Sequence, residues 1–300
     1  MIYSCLQGRI GNIMFEVVAA ASHAKKMEVP YLALFSRPDS LPEWDNWYIE
    51  YLEQFKETIL RNIPLSGEYP ENIYRFEERK MTYKALASVK DMILDGYFQS
   101  EKYFDKELVR ELFAIDLITY EYIKTKYGKI LDQHPVSVVV RRGDYLVLSA
   151  QYVICKMPYY RKAMAYLGKD KMFLVISDDI EWCKSHFKGY NVFFVEDESP
   201  TVDLYLASLC THHIISNTTF AWWGAWLNPN PNKIVVYPSI WMGPLNYKEK
   251  NVSDLCPPEW IPIRVVNRCS EFLIKYGATS LWRIFFSVKY RLRRLFNIMV

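Results

Sequence analysis

Three hundred residues at 51% hydrophobic and 24% charged make an ordinary globular composition, long enough for two domains with a cleft between them. No stretch approaches the roughly 18 consecutive apolar residues of a bilayer-spanning helix, and no internal repeat or low-complexity block interrupts the chain. The net charge of +3 is unevenly placed: no acid follows Glu271, but Lys275, Arg283, Lys289, Arg291, Arg293 and Arg294 do, and without those six the charge is −3. That excludes a basic nucleic-acid groove across the main body and points the tail at something anionic. Six cysteines with neither a CxxC pair nor a zinc spacing, and an N-terminus without a signal core, place the chain in a reducing cytoplasm.

In chain order, Ile2 to Leu6 reads as a strand, Gln7 to Gly11 as a glycine-bearing turn, Met14 to Met27 as an alanine-rich helix and Tyr31 to Phe35 as a second strand, a βαβ opening. The stretch from Arg37 to Tyr83, with its prolines and aromatics, reads as mixed helix and loop. Met92 to Phe98 returns as a strand, and Glu101 to Phe113 as a helix. From Val136 the alternation becomes regular. Strands at Val136 to Val140, Met172 to Ile176, Val192 to Val195, His213 to Ser216 and Ile234 to Tyr237 are separated by helices at Tyr159 to Tyr166, Ile180 to Phe187, Thr201 to Cys210 and Phe220 to Leu227. Parallel neighbours need such crossovers, so this half predicts a doubly wound parallel sheet, whose ligands lie beyond the carboxyl ends of the strands. Leu281, Phe285, Val288, Leu292, Leu295 and Met299 then form one apolar helical stripe, with Arg283, Lys289, Arg291, Arg293 and Arg294 on the rest of the surface. This is the pattern of a helix lying on an anionic membrane surface or packed on the body.

Several segments at the predicted strand ends carry chemistry. Arg141-Arg142-Gly143-Asp144 closes an apolar strand; its guanidinium groups suit a diphosphate, or a turn salt-bridged to Asp144. Gln7 to Asn12 is a second strand-to-helix turn whose glycines allow close approach, either to an anion or sugar at the helix start or as a structural tight turn alone. Ser216-Asn217-Thr218-Thr219-Phe220 opens a helix, where hydroxyls and amides either cap or bind phosphate. Ser177-Asp178-Asp179 reads as a helix start capped by Ser177 or Asp178, with a divalent-cation site as the minor reading. His212-His213 has no third ligand at fitting spacing and reads as structural.

Taken together, these segments resemble the bacterial α-1,2-fucosyltransferase family, glycosyltransferase family 11, in order and spacing to about residue 245. The matching runs are Gly8 to Glu16, Gly96 to Phe104, Arg141 to Tyr145, Ile176 to Cys183 and Asp203 to Leu206 through Ile214 to Asn228. The last run, with Ser216-Asn217-Thr218-Thr219-Phe220-Ala221-Trp222-Trp223-Gly224, is the most specific. The resemblance implies a GT-B-like α/β fold of two facing Rossmann-type domains: residues 1–130 on the acceptor side, 131–245 binding the donor, and 246–300 as a C-terminal extension. It also implies GDP-β-L-fucose as donor, an oligosaccharide or lipid-linked glycan as acceptor, inversion at the anomeric carbon and no cofactor or metal. By similarity to the wider fucosyltransferase group, Arg141 would meet the β-phosphate, Asp203 the guanine, and Thr218, Thr219 and Phe220 the diphosphate and base. Asn12 and Gly11 would approach from the opposite domain, and Arg142, Ser177, Ser216 and Asn217 would complete the donor site. Asp144 and Glu16 are the acids that could take the acceptor proton. Two places depart from the family: Val139 stands where His is usual, and Gln7-Gly8-Arg9-Ile10-Gly11-Asn12-Ile13 stands where Gly-Gly-Leu-Gly-Asn-Gln is usual. A transferase of another GDP-sugar or linkage, and a non-catalytic glycan-binding relative, are the alternatives to this reading.

Overall fold

The computed structural model of the chain describes residues 1–35, 42–78, 80–247 and 250–276. The tail from 281 to 300, with its predicted basic amphipathic helix, lies outside the described residues.

The opening βαβ unit forms as the pattern predicts. Strand β1 (Ile2–Cys5) leads into helix α1 (Ile10–Met27) and strand β2 (Tyr31–Leu34). Helix α1 starts four residues earlier than its hydrophobic pattern indicates, and fourteen of its eighteen residues are buried. Its run of alanines and valines lets neighbours approach from several sides, so it serves as a core element and not as a surface helix. The irregular stretch resolves into helix α2 (Pro42–Lys56) and two short strands, β3 (Leu65–Ser66) and β4 (Tyr74–Glu77), before β5 (Met92–Asp95). These five strands form one parallel sheet in the order β3-β2-β1-β5-β4.

The predicted helix from 101 to 113 is divided. A 3-10 turn at Glu101–Tyr103 ends at Phe104, and Asp105 then caps helix α3 (Lys106–Leu112) by accepting the Leu108 N–H at 2.9 Å. Helix α4 (Leu117–Leu131) has no counterpart in the sequence reading. Only Thr119, Ile123 and Tyr127 are buried along it, a ridge one residue wide, while Leu117 and Ile118 stand exposed and blur the stripe.

The second unit carries the predicted alternation: β6 (Val136–Val140), α5 (Met157–Leu167), β7 (Phe173–Ser177), α6 (Ile180–His186), β8 (Val192–Phe194), α7 (Pro200–Ser208), β9 (His212–Ile214), α8 (Thr219–Trp226) and β10 (Val235–Pro238). The predicted boundary at 245 falls short, because β11 (Ile261–Ile263) pairs in parallel with β10 and extends the sheet. Helix α9 (Arg268–Tyr276) follows it. Proline at the centre of Ile261-Pro262-Ile263 hides that strand in the sequence, and proline is tolerated there because the strand lies at the sheet edge. The order is β11-β10-β9-β6-β7-β8, all parallel.

The second sheet reverses its winding once, between β6 and β9; in the first, the chain runs outward from β1 to β3, crosses to the far edge at β4 and returns to β5 beside β1. At such a switch point the loops leaving adjacent strands diverge and open a crevice. The two units are joined across this region by aromatic packing: the Phe15 ring of α1 lies 4.6 Å from Trp222 and 4.8 Å from Trp223 of α8, and Phe104 stacks on Trp223 at 5.3 Å. The expected pair of facing Rossmann-like units is therefore present, with one core cluster running through both. His213 is structural, as its sequence setting indicates: it is buried between Ser137 and Asn228, and burial, aided by Lys233, holds its imidazole down at about 3.

Candidate active site

Strand β6 is buried at all five positions, since both faces of a central parallel strand are covered. Its chain therefore emerges at Arg141 at the sheet's carboxyl edge. The Arg141 guanidinium is pinned there by two acids, with Nη2 2.6 Å from Asp144 Oδ1 and Nη1 2.9 Å from Asp178 Oδ2. Asp144 also receives Arg9 from the β1 turn, at 3.7 Å, so this ion group spans the two units. The salt bridge to Asp144 raised by the sequence is real, but it orients a guanidinium at a cavity wall and does not merely close a turn.

Two helix starts meet beside Arg141. Thr218 caps α8, its Oγ1 accepting the Ala221 N–H at 3.0 Å. Helix α1 begins at Arg9, which supplies no side-chain cap; instead the Ile10 N–H donates to the Tyr51 hydroxyl at 2.8 Å. The preceding turn is made possible by Gly8, at φ +76°. Gly11 lies so close to α8 that a Cβ there would fall 2.6 Å from both Phe220 N and Thr219 Oγ1, and its carbonyl accepts the Trp223 Nε1–H at 2.9 Å. Asn12 Oδ1 accepts from Gln99 Nε2 at 3.0 Å and from Thr219 Oγ1 at 2.9 Å, tying the segment after β5 and the start of α8 to the start of α1. Residues at both helix starts line one cavity, an arrangement that suits an anion.

Asp203 sits in the first turn of α7 on the same cavity. Its carboxylate has no hydrogen-bond partner among the described residues, and burial, with the charge of Glu198 adding, pushes it up to about 7. A half-buried carboxyl group that faces a cavity without a protein donor is free to accept hydrogen bonds from a ligand there.

The cavity between the units has a volume of about 570 Å³. Gly11, Asn12, Arg141, Asp144, Ser177, Asp203, Asn217, Thr218, Thr219 and Phe220 all line it, so residues scattered over 200 positions are brought together. Three predicted site residues are not. Glu16 is 1% exposed in the α1 interior and its Oε2 accepts the Gln7 N–H at 2.9 Å, which stabilises the β1–α1 turn and removes it from contact with an acceptor. Arg142 turns away, its Nε 2.9 Å from Asp179 Oδ2 and its guanidinium 4.0 Å from the Trp182 ring centroid. Ser216 is wholly buried beneath the α8 turn. Asp179, and neither Ser177 nor Asp178, caps α6. Asp178 and Asp179 are each engaged by an arginine, and among the described residues no group of three or more His, Cys, Asp or Glu side chains is placed to hold a metal ion.

The sequence reading missed Asp178 as an Arg141 partner, Gln99 as an Asn12 partner, and Tyr51, Gln54, Phe55 and Tyr152 as wall residues. Gln99 lies in a segment that matches the family, which was its signal. Tyr51 sits in α2, where the pattern gave none. Val139 lines the cavity with an apolar side chain. Tyr152 stacks on Tyr145 with centroids 4.5 Å apart.

Two parallel-sheet units whose loops bring an arginine, two helix N-termini and a carboxylate without a protein donor to one cavity make the chain an α/β protein with a cleft between two Rossmann-like units. The chain belongs to glycosyl transferase family 11, whose model matches residues 53–264. It is 35% identical over 203 residues to an alpha-1,2-colitosyltransferase of Escherichia coli, covering 63% of this chain and 69% of that one. It is 29% identical over 307 residues to the Escherichia coli O-antigen biosynthesis glycosyltransferase WbnK, covering 87% and 99%. Over 104 residues it is 36% identical to galactoside alpha-(1,2)-fucosyltransferase 1 of Saimiri boliviensis boliviensis, covering 31% and 28%. The protein is accordingly a glycosyltransferase.

Proposed function

We propose that this glycosyltransferase moves L-fucose from GDP-β-L-fucose to a galactose-type hydroxyl of a glycan, forming an α-1,2 linkage with inversion. The observation that carries this reading is the convergence of Arg141, the α1 and α8 N-termini and the unpartnered Asp203 carboxylate on one cavity. The Asp203 carboxylate matches the two adjacent donors, N1–H and N2–H, of guanine. Arg141 and the amides at the start of α8 then face the diphosphate.

In this reading the acceptor oxygen attacks fucose C1 from the face opposite the diphosphate. The C1–O bond to the β-phosphate breaks, and GDP departs with the electron pair. Arg141 and the two helix ends stabilise the charge developing on that phosphate, with no metal assigned a part. The acceptor proton passes to Asp144 or to water; Glu16 is too enclosed to take it. The α-1,2 assignment draws support from the names of two relatives, the colitosyltransferase and the galactoside fucosyltransferase.

The first of those names favours a second reading, in which the site is the same and the sugar transferred is colitose. One experiment separates the two: transfer to a β-galactoside from a panel of GDP-sugars in the presence of EDTA, followed by linkage analysis of the product. A fucosylated product linked at O2 is expected. Transfer of another sugar alone, or a linkage to another oxygen, would overturn the donor or linkage assignment.

Among the described residues no helix is long and apolar enough to cross a membrane. We place the enzyme in the cytoplasm, held to the inner face of the membrane by residues 281–300. Flotation with anionic liposomes should fall several-fold when those residues are removed, and equal flotation of both forms would refute the attachment.

A further inference from the structure

The loop that leaves β5 enters the cavity in a backbone form that its sequence resists. Phe98 stands at φ +50°, a left-handed conformation that a bulky residue adopts only when its surroundings enforce it. Two contacts enforce it here. The Phe98 ring is wholly buried and lies edge-on to Tyr103 at 5.3 Å. On the other side of the turn Glu78, the residue that follows β4, takes two backbone donors on one oxygen: its Oε2 accepts the Tyr97 N–H at 2.8 Å and the Phe98 N–H at 2.9 Å. The fit is close, since a Cβ placed on Gly96 would collide with the Glu78 Cβ.

A carboxylate is a costly way to close a turn. Burial pushes the Glu78 carboxyl up against the pull of the Phe98 and Tyr97 N–H groups, and its Oε1 is buried with no partner among the described residues. What the carboxylate gains is direction. The next residue along, Gln99, lines the cavity, and its Nε2 donates to Asn12 Oδ1 at 3.0 Å. The same Asn12 oxygen accepts from Thr219 Oγ1, at the first residue of α8, at 2.9 Å. Hydrogen bonds joined through one strained turn thus run from the β4 edge of the first sheet to a helix start of the second unit.

We propose that Glu78 is a positioning residue for the donor diphosphate: by fixing the Tyr97–Phe98 turn it sets Gln99 against Asn12, and through Asn12 it holds Thr219 and the start of α8 where the diphosphate binds. Glu78 is not among the residues that line the cavity, so it acts through Gln99 and not on the ligand. This rests on the donor reading of the cavity.

The test is a double-mutant cycle on the full chain, read as affinity for GDP and for guanosine by titration calorimetry, with circular dichroism to establish folding. Glu78→Ala removes the acceptor. Glu78→Asp keeps the charge but withdraws it by one methylene, which covers the case in which the alanine form does not fold. Each should lose about tenfold in GDP affinity, the size of one hydrogen bond to a charged group. Guanosine affinity should be unchanged, whereas general damage to the fold would weaken both ligands alike. In a Gln99→Ala background the same changes should cost nothing further, because the two residues act as one unit. Unaltered GDP affinity in a folded Glu78 variant, an equal loss for guanosine, or losses that multiply in the double variants would overturn the proposal. Any of these results with GDP bound by the wild type leaves the donor reading standing; no GDP binding by the wild type would remove that reading and this inference together.

Discussion

Asp203 shows how one side chain links burial to ligand choice. Its carboxyl stands at about 7 because burial and the nearby Glu198 both disfavour the anion. Guanine offers only donors on its N1 and N2 edge, so it binds the ionised form. In the proposed donor site, a proton held by Asp203 below pH 7 must leave before GDP binds, which costs about 1.4 kcal/mol per pH unit. GDP affinity is therefore expected to be level above about pH 8 and to fall close to tenfold per unit between pH 6 and pH 5. Asp203→Asn should bind more weakly at pH 8 and lose that slope, as titration calorimetry across the pH range would reveal. The sign for folding is the opposite: a carboxyl raised in the folded state contributes stability at acid pH that is lost as pH rises through about 7. The arginine was readable from sequence as a strand-end cation, but its orientation was not. Asp178 lies 37 positions along the chain from Arg141, and only the register of β6 against β7, with Val140 opposite Ser177, brings the two together.

At the level of elements, the site depends on α1 and α8 meeting end to end. Gly11 makes that approach possible. Gly11→Ala would put a methyl group 2.6 Å from the Phe220 backbone nitrogen, which cannot move without shifting the start of α8. Overpacking of this kind costs about 1–3 kcal/mol, so the variant should lose that much in denaturant melts and should also bind GDP more weakly. A variant as stable as the wild type with unaltered GDP affinity would show that the helix ends need not touch. The regular alternation after Val136 was legible because buried parallel strands are short apolar runs bounded by turns. Helix α4 was not, since it buries a single narrow ridge and exposes Leu117 and Ile118. Nor was β11, where a proline disguises an edge strand. Helix α2 fell in a stretch with prolines and aromatics where neither period stood out, and with it went the view of Tyr51 as a wall residue.

At the level of the molecule, the expected architecture of two Rossmann-like units was recoverable from strand and helix order, whereas the cleft was not. Its location follows from which strands stand side by side, β1 beside β5 and β6 beside β9, a property of strand order in space that the linear sequence does not state. Its closure follows from the packing of Phe15 and Phe104 against Trp222 and Trp223, which brings the start of α1 against the start of α8. We infer that this arrangement holds a departing diphosphate against Arg141. The direct measurement is the turnover of GDP-fucose to a β-galactoside by the wild type and by Arg141→Ala, with circular dichroism to establish that both are folded. Loss of one fixed donor to a developing oxyanion costs about 100- to 1000-fold in kcat, and a fall of that size with the fold retained is the predicted result; near-normal transfer by a folded Arg141→Ala would contradict it.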